Sequence, residues 1–498
     1  GESWTQVRSF PGVPEYTYVS DLFADRFNEN VVYAAFSNLK RDDFKPYLFK
    51  SSDKGKSWTP IAGNLPANGT VHTIEQDFVN PNLLFAGTEF GVFFTLDGGQ
   101  NWVQLKSGLP TIAVYDIAIQ QRECDLVLAT FGRGFYILDD YSPLRQLGKE
   151  MTESKALLFP VKDALMYNPT SSKGNQGSNY FTAPNPDFGA TFTYYLKEAP
   201  KSKKELRQEA EKKLFKEGKP IPQPTWREIE LEGKEEKAHL IFTIRDSDGN
   251  VVRQLTQSPA KGINRINWDL RYSMPSATRV SGSFNPTEGS SGRRGSGILV
   301  MPGTYSVEMA LWNDGELNQL AGPVSFICKK LNNVSTPAAN YAENTEFTRN
   351  VSRLAVAMVG SERLAGELAS KVEHIKQAIY STPGAGQELM DKARKLGREL
   401  EEINFKFNGV AAKASQEEVP PAQVPLNSRL GNLTYTHYGS TSGITSTEKM
   451  EYQILTEEFP PILKQLKRIV ENDIPALENE LNRMNAPWTP GRLPVWKE

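Results

Sequence analysis

Residues 51–58 read SSDKGKSW and residues 95–102 read TLDGGQNW. Both obey one pattern: Ser or Thr, any residue, Asp, any residue, Gly, any two residues, Trp. The pattern has a local mechanical meaning. Asp53 and Asp97 fall in a hairpin turn, where a carboxylate accepts backbone N–H groups. Gly55 and Gly99 are free to adopt positive φ without steric penalty. Trp58 and Trp102 re-enter a strand and pack on its sheet. Such a loop staples a hairpin and needs no substrate, so these six residues read as structural rather than catalytic.

Working outward, Asp53 and Asp97 are 44 residues apart, and a related turn, Ile137-Leu138-Asp139-Asp140, follows 42 residues beyond Asp97. That spacing is the length of one four-stranded propeller blade. The intervening segments align. NVVYAAFSN (30–38), NLLFAGTEFGVFFT (82–95) and DLVLATFGRGFYIL (125–138) each read as strand, turn, strand. TYVSDLFAD, VHTIEQDF and VYDIAIQQ precede them with strand-like alternation. The expectation is a partial β-propeller of about three blades over residues 1–147. The chain opens with Gly1-Glu2-Ser3-Trp4, the last half of the same pattern. Three blades leave open strand edges, so the expected partners include upstream blades, on the same precursor or on a second chain.

These residues resemble the Asp-box, or bacterial neuraminidase repeat, of sialidases, xyloglucan-cleaving glycosidases and the sortilin propeller. The resemblance implies a β-propeller with the Asp-boxes on its periphery. It does not imply one chemistry, because enzymes and receptors both carry the motif. A longer stretch, EYTYVSDLFADRFNENVVYAAFSNLKRDDFKPYLFKSSDKGKSW, with LLFAGTEFGVFFTLDGGQNW and DLVLATFGRGFYILDDYSPLR, resembles large secreted proteins common in Bacteroidetes. Those are labelled sortilin-like or glycosyl-hydrolase-like. The resemblance implies a secreted, periplasmic or cell-surface bacterial protein.

Composition is that of ordinary globular domains: 498 residues, 39% hydrophobic, 23% charged and a net charge of −2. This balance gives no argument for nucleic acid or an anionic membrane as a partner. No run of about 18 apolar residues exists to span a bilayer. Cys124 and Cys328, the two cysteines, are no disulfide framework and read as buried free thiols. His72, His239, His374 and His437 have no metal-ligand spacing, and no cofactor is implied.

Residues 148–335 read as a β-sandwich with insertions. A polar loop covers 171–179. Residues 201–219 form a mixed-charge helical insertion with Leu206, Ala210 and Leu214 at four-residue spacing. Its interleaved glutamates favour a solvated face over a binding patch. DSDGN (246–250) is a hairpin turn without the rest of a calcium loop. The order AHLIFTIRDSDGNVVRQL, GINRINWDLRY, MPGTYSVEMALW resembles the immunoglobulin-like domain of the flagellar hook-capping protein. Residues 280–297 are a Gly/Ser-rich flexible loop containing Arg293 and Arg294.

Over 336–498 the period becomes helical. Three apolar stripes run through Leu354–Ile379, Leu389–Phe407 and Ile462–Met484. Pro383-Gly384 separates the first two helices, and Pro475 kinks or restarts the third. An antiparallel helical bundle is expected. Residues 426–443, LNSRLGNLTYTHYGSTSG, read as a long polar loop in which Tyr435, His437 and Tyr438 stack on sugar or seal an interface.

A glycosidase needs two carboxylates about the scissile bond, or a Tyr nucleophile in sialidases. Candidates for a propeller funnel are Asp21, Glu89, Asp116, Arg122, Glu123 and Arg133. Glu89 and Arg133, in the corresponding turns TEFG and FGRG, are the preferred ligand contacts. The competing structural reading pairs Arg133 with Asp139 or Asp140. No Ser–His–Asp set, phosphate loop or zinc motif is present. The leading expectation is a non-catalytic surface propeller, a scaffold or receptor for a peptide, protein or glycan. The alternatives are a glycoside hydrolase and an accessory subunit of an outer-membrane assembly.

Overall fold

The structure, a computed structural model, describes every residue except 1–3, 5, 149, 150, 152, 168–176, 178–180, 274–295, 332–336, 413, 414, 419, 420, 437, 438, 495, 497 and 498. The loop at 171–179 lies outside the described residues but for Gly177, and most of 280–297, with Arg293 and Arg294, lies outside them too, as do His437 and Tyr438. The chain divides into two compact units, residues 1–159 with 184–186, and residues 160–183 with 187–498.

The first unit is three consecutive antiparallel meanders. The first sheet runs β1 (Tyr18–Ala24), β2 (Val32–Asn38), β3 (Asp43–Ser51) and β4 (Thr59–Pro60) in that order. The second runs β5 (Val71–Gln76), β6 (Leu84–Thr88), β7 (Gly91–Thr95) and β8 (Val103–Gln104). The third has three strands among the described residues, β9 (Val114–Gln120), β10 (Asp125–Thr130) and β11 (Gly134–Leu138). The opening strand of each sheet neighbours the opening strand of the next. A short strand, β12 (Ala156–Leu158), lies near the end of the unit.

The sheets stack through alternate residues of each strand. Tyr33, Ala35 and Leu48 of the first pack on Val71, Ile74, Leu84 and Ala86 of the second. Phe85, Val92 and Phe94 on the other face of the second pack on Val114, Ile117, Leu126 and Leu128 of the third. The period-2 alternation read from the sequence is thus the alternation between two neighbouring sheets.

The two quoted turns join the third and fourth strands of the first two sheets. Ser51 Oγ donates to Asp53 and accepts the Gly55 N–H at 2.8 Å. Asp53 accepts the Ser57 N–H at 2.8 Å and its hydroxyl at 2.7 Å. In the second copy Asp97 accepts the N–H groups of Gln100 and Asn101, both at 2.9 Å, while Gly99 N donates to Thr95 Oγ1. Gly55 and Gly99 have φ of +83° and +105°. A Cβ at Gly99 would also stand 2.8 Å from Ile61 Cβ, so glycine is required there by space as well as by φ. Trp102 is buried and donates to Ile61 O and Gly99 O.

In the second unit, β13 (Ala164–Met166), β14 (Ala190–Leu196), β15 (His239–Asp246), β16 (Val251–Gln257), β17 (Gly262–Trp268), β18 (Arg271–Ser273), β19 (Ser296–Leu299), β20 (Gly303–Asn313) and β21 (Glu316–Lys330) form the β part. One sheet has the order β13-β21-β20-β15-β16. β14 pairs with β17, and β18 with β19. Aromatic contacts join the β14–β17 pair to the larger sheet: Tyr194–Phe242 at 5.1 Å, Phe192–Phe326 and Trp268–Tyr305 both at 5.5 Å. The turn at 246–250 forms as expected, with Gly249 at φ +82° and Asp246 accepting two N–H groups.

The insertion is a helix, α1 (Lys203–Lys216), followed by a second helix that the sequence reading did not anticipate, α2 (Trp226–Lys234). Neither contains a buried residue. The Leu206–Leu214 stripe therefore makes no core. The helices are held instead by capping boxes at Ser202 and Thr225 and by an Arg207–Glu232 fork at 2.6 and 2.9 Å.

The remaining helices are α3 (Tyr341–Tyr380), α4 (Gln387–Asn408), α5 (Leu426–Thr436), α6 (Ser446–Arg468) and α7 (Ile474–Arg483), with a π-helical segment, Ile469–Asp473, before α7. They share one apolar core containing Met358, Val372, Ile375, Leu400, Phe407, Leu433, Leu455, Leu466 and Leu481. Pro475 sits at the start of α7, as a restarted helix requires. The stretch expected to be a loop at 426–443 is corrected: its first part is α5. Leu426, Leu430 and Leu433 lie four and three apart and are all buried, which outweighs the Asn, Ser and Gly around them. Cys328 is buried, but Cys124 is a half-buried residue of the β9–β10 turn rather than of a strand interior.

Candidate functional site

The meander order puts the β2–β3, β6–β7 and β10–β11 turns at one end of the sheets, with the starts of β1, β5 and β9. The β6–β7 and β10–β11 turns are built alike. Glu89 N donates to Thr70 O, and Phe131 N donates to Ala113 O, both at 3.0 Å. Thr88 Oγ1 donates to Gly91 O, and Thr130 Oγ1 to Gly134 O. Glu89 therefore corresponds to Phe131, and Arg133 occupies an added position in the third turn.

At this end His72, 6% exposed, is the second residue of β5. Its Nε2 lies 2.8 Å from Glu89 Oε2. Its ring stacks on Tyr115 at the start of β9, with centroids 4.3 Å apart and planes 23° apart. Tyr115 in turn meets Phe131, centroids 5.7 Å apart and tilted by 49°. The result is an open aromatic ledge spanning two sheets. Glu89 fixes its inner member, and the Tyr115 and Phe131 rings stand in solvent. Such a ledge suits a flat apolar face or a cation, with Glu89 as acceptor. Stacking on His72 orients Tyr115 before any ligand arrives.

The other predicted residues separate into three groups. Asp116 is exposed near the ledge on β9, and its Oδ1 accepts the neighbouring Ile117 N–H. Arg133 is exposed in the same turn as Phe131. Asp21 is committed to structure, accepting the Thr73 hydroxyl at 2.8 Å and the Ile74 N–H at 2.9 Å. Arg122 and Glu123 pair with each other at 3.0 Å in the β9–β10 turn, at the opposite end of the sheets. They do not join Glu89 and Arg133.

That opposite end carries a second repeated turn which the sequence reading passed over: DRFNEN (25–30) and DFVNPN (77–82). Asp25 accepts the Phe27 and Asn28 N–H groups, the Tyr33 hydroxyl and the Gln76 amide from the second sheet. Burial works against its ionisation, but these bonds outweigh it and hold the carboxyl below its ordinary value. Asp77, fully buried, accepts the Val79 and Asn80 N–H groups, the Tyr141 hydroxyl and two bonds from Arg145 at 2.9 and 2.7 Å. It too is held below its ordinary value against the effect of burial. Glu75 is paired with Arg26 at 2.8 Å; burial raises its carboxyl, and the nearby Asp21 adds to the rise. These groups latch one sheet to the next.

No family model matches the chain, and no curated protein does. Several solved structures resemble it in part. PorZ, a surface component of the type-IX secretion system of Porphyromonas gingivalis, is 13% identical with a TM-score of 0.22, over 62% of this chain and 30% of its own. An ancestral GH74 enzyme is 12% identical with a TM-score of 0.23, over 66% of this chain and 37% of its own. The extracellular domain of a hybrid two-component system from B. thetaiotaomicron is 7% identical with a TM-score of 0.21, over 63% and 32%. The chain thus spans well under half the length of these proteins. Among the described residues no helix is long and apolar enough to cross a membrane.

Proposed function

We propose that residues 1–147 are successive blades of a β-propeller with Asp-boxes at Asp53 and Asp97, and that the protein is a secreted, periplasmic or cell-surface binder of a peptide, protein or glycan. Residues 148–335 act as an immunoglobulin-like sandwich and residues 336–498 as a helical bundle. The observation that carries the binding role is the His72–Tyr115–Phe131 ledge with Glu89 beneath it, two rings left in solvent at the turn end of the sheets. Asp116 and Arg133 supply polar contacts at its margin. Arg122 and Glu123, at the far end, have no part in it. Further blades, from the same precursor or a second chain, complete the propeller.

The test is a glycan and peptide array probed with the purified chain. Tyr115→Ala is expected to weaken the selected ligand by about tenfold or more, as loss of a central aromatic anchor does. Arg122→Ala is expected to leave affinity unchanged. Equal affinity of the Tyr115 variant and the parent sinks the ledge. Release of new reducing ends from a bound glycan favours the glycoside hydrolase instead.

A further inference from the structure

The chain's net charge of −2 hides a local separation of charge in the α1–α2 insertion. The insertion springs from between β14 and β15 and folds as an antiparallel helical hairpin. Lys203 N, at the start of α1, donates to the Glu235 carboxylate just past the end of α2, at 2.8 and 3.1 Å, and Arg207 forks onto Glu232. The same base is tied to β20 and the turn after it. Trp312 Nε1 donates to Glu236 at 2.8 Å, and Lys203 Nζ reaches Asp314 at 3.1 Å. The residues joining the two helices, 217–225, therefore lie at the far end, about 20 Å from the base at about 1.5 Å per residue of α1.

Acidic and basic groups are not mixed evenly along this hairpin. From the base to mid-helix the carboxylates are taken up: Glu211 and Glu232 pair with Arg207, Glu209 with Lys201 and Glu230 with Lys234, all at 2.6 Å. From 212 to 228 there are five cations, Lys212, Lys213, Lys216, Lys219 and Arg227, against two carboxylates. Both carboxylates have local partners: Glu217 pairs with Lys219 at 2.8 Å, and Glu228 closes the capping box at Thr225. Lys212, Lys213, Lys216 and Arg227 are exposed. Among them Phe215 is 75% exposed and Trp226 80%. The glutamates that read as a solvated face in the sequence are thus spent along the hairpin, and its tip is left basic and aromatic.

We propose that this tip docks on an anionic phospholipid surface, with Phe215 and Trp226 entering the headgroup boundary and Lys212, Lys213, Lys216 and Arg227 lying among the phosphates. Aromatic rings settle at that depth, where their apolar bodies leave water. Basic side chains add attraction to a negative leaflet, and an apolar signal joined to a basic one gives a reversible attachment that either alone makes only marginally. Neither helix contains a buried residue. The tip is therefore convex and offers no pocket to a side chain or a sugar, whereas a bilayer receives a convex apolar end.

Co-sedimentation of the full chain with vesicles tests this. The parent is expected to pellet with vesicles containing phosphatidylglycerol, to stay in solution with pure phosphatidylcholine, and to be released by high salt. Phe215→Ser/Trp226→Ser and Lys212→Glu/Lys216→Glu are each expected to lower the partition coefficient about tenfold or more. All four sites are exposed, and circular dichroism checks that both variants keep the parent's fold. Lys201→Glu, at the base, is expected to bind as the parent does. With brominated acyl chains the parent's tryptophan emission is expected to be quenched, and Trp226→Phe to bind while losing that quenching. A parent that binds neither vesicle, or both equally, overturns the proposal. Binding that survives either double variant, or quenching that survives Trp226→Phe, overturns it by placing the contact elsewhere on the chain. Retention on an acidic polypeptide without retention on anionic vesicles overturns it in favour of a protein partner.

Discussion

Asp97 illustrates how much a single carboxylate does in this fold. It accepts the N–H groups of Gln100 and Asn101, the Asn101 amide at 2.7 Å and the Thr95 hydroxyl at 2.7 Å. Slight burial opposes ionisation, but these donors outweigh it and bring the carboxyl down to about 2. Asp53 is likewise lowered to about 2, chiefly by the Ser57 hydroxyl and N–H. A carboxylate lowered in the native state stabilises fully above its unfolded value, near 3.8, and loses that contribution as pH falls toward 2. Asp97→Asn is therefore expected to lower the urea midpoint at pH 7 and to have less effect at pH 2. A midpoint difference that is the same at both pH values refutes the titration account. The turn was legible because all these donors to its carboxylate lie within seven residues of sequence. The ledge was not: His72, Glu89, Tyr115 and Phe131 come from four separate segments, and only the packing of β5 against β9 brings them together. The DRFNEN and DFVNPN turns were local too, but their purpose lies in Gln76, Tyr141 and Arg145, which the short pattern does not contain.

At the scale of elements, the helices divide by what their apolar residues meet. α5 is short, polar and rich in residues that favour turns, so its composition reads as a loop. Its three leucines, spaced for one face, decide otherwise because the shared core of α3, α4, α6 and α7 is there to receive them. α1 is the opposite case. Its periodic Leu206, Ala210 and Leu214 predict a helix, and the helix forms, but nothing buries that face and the ends are secured by caps and ion pairs. The consequence is a contrast in mutational sensitivity. Leu433→Ala is expected to cost about 2–5 kcal/mol, since the site is fully enclosed. Leu206→Ala, on a half-exposed site, is expected to stay within about 0.5 kcal/mol of the parent. Chemical denaturation followed by far-UV circular dichroism checks both. Equal losses would mean that α1 is packed in solution in a way its exposure denies.

At the scale of the whole molecule, the repeat period made the three meanders legible, and the switch from period 2 to period 3.6 made the helices legible. The boundary near residue 159 follows from neither, because it depends on which strands share a core. Each of the two compact units has cores of its own, those of the first at its sheet interfaces and those of the second among five helices and between the β14–β17 pair and the larger sheet. Cores that share no residues unfold as separate cooperative units when each carries its own stability. Calorimetry of the full chain is thus expected to resolve two transitions. Asp77→Ala leaves Arg145 and the Tyr141 hydroxyl without their buried acceptor, and removing one partner of a buried pair typically costs about 3–5 kcal/mol. It should shift one transition and not the other. Leu400→Ala, fully buried between α4 and its neighbours, should shift the other by the loss expected of a core leucine, about 2–5 kcal/mol. If each substitution moves both transitions equally, the two units unfold as one cooperative body and the expectation of two transitions is refuted.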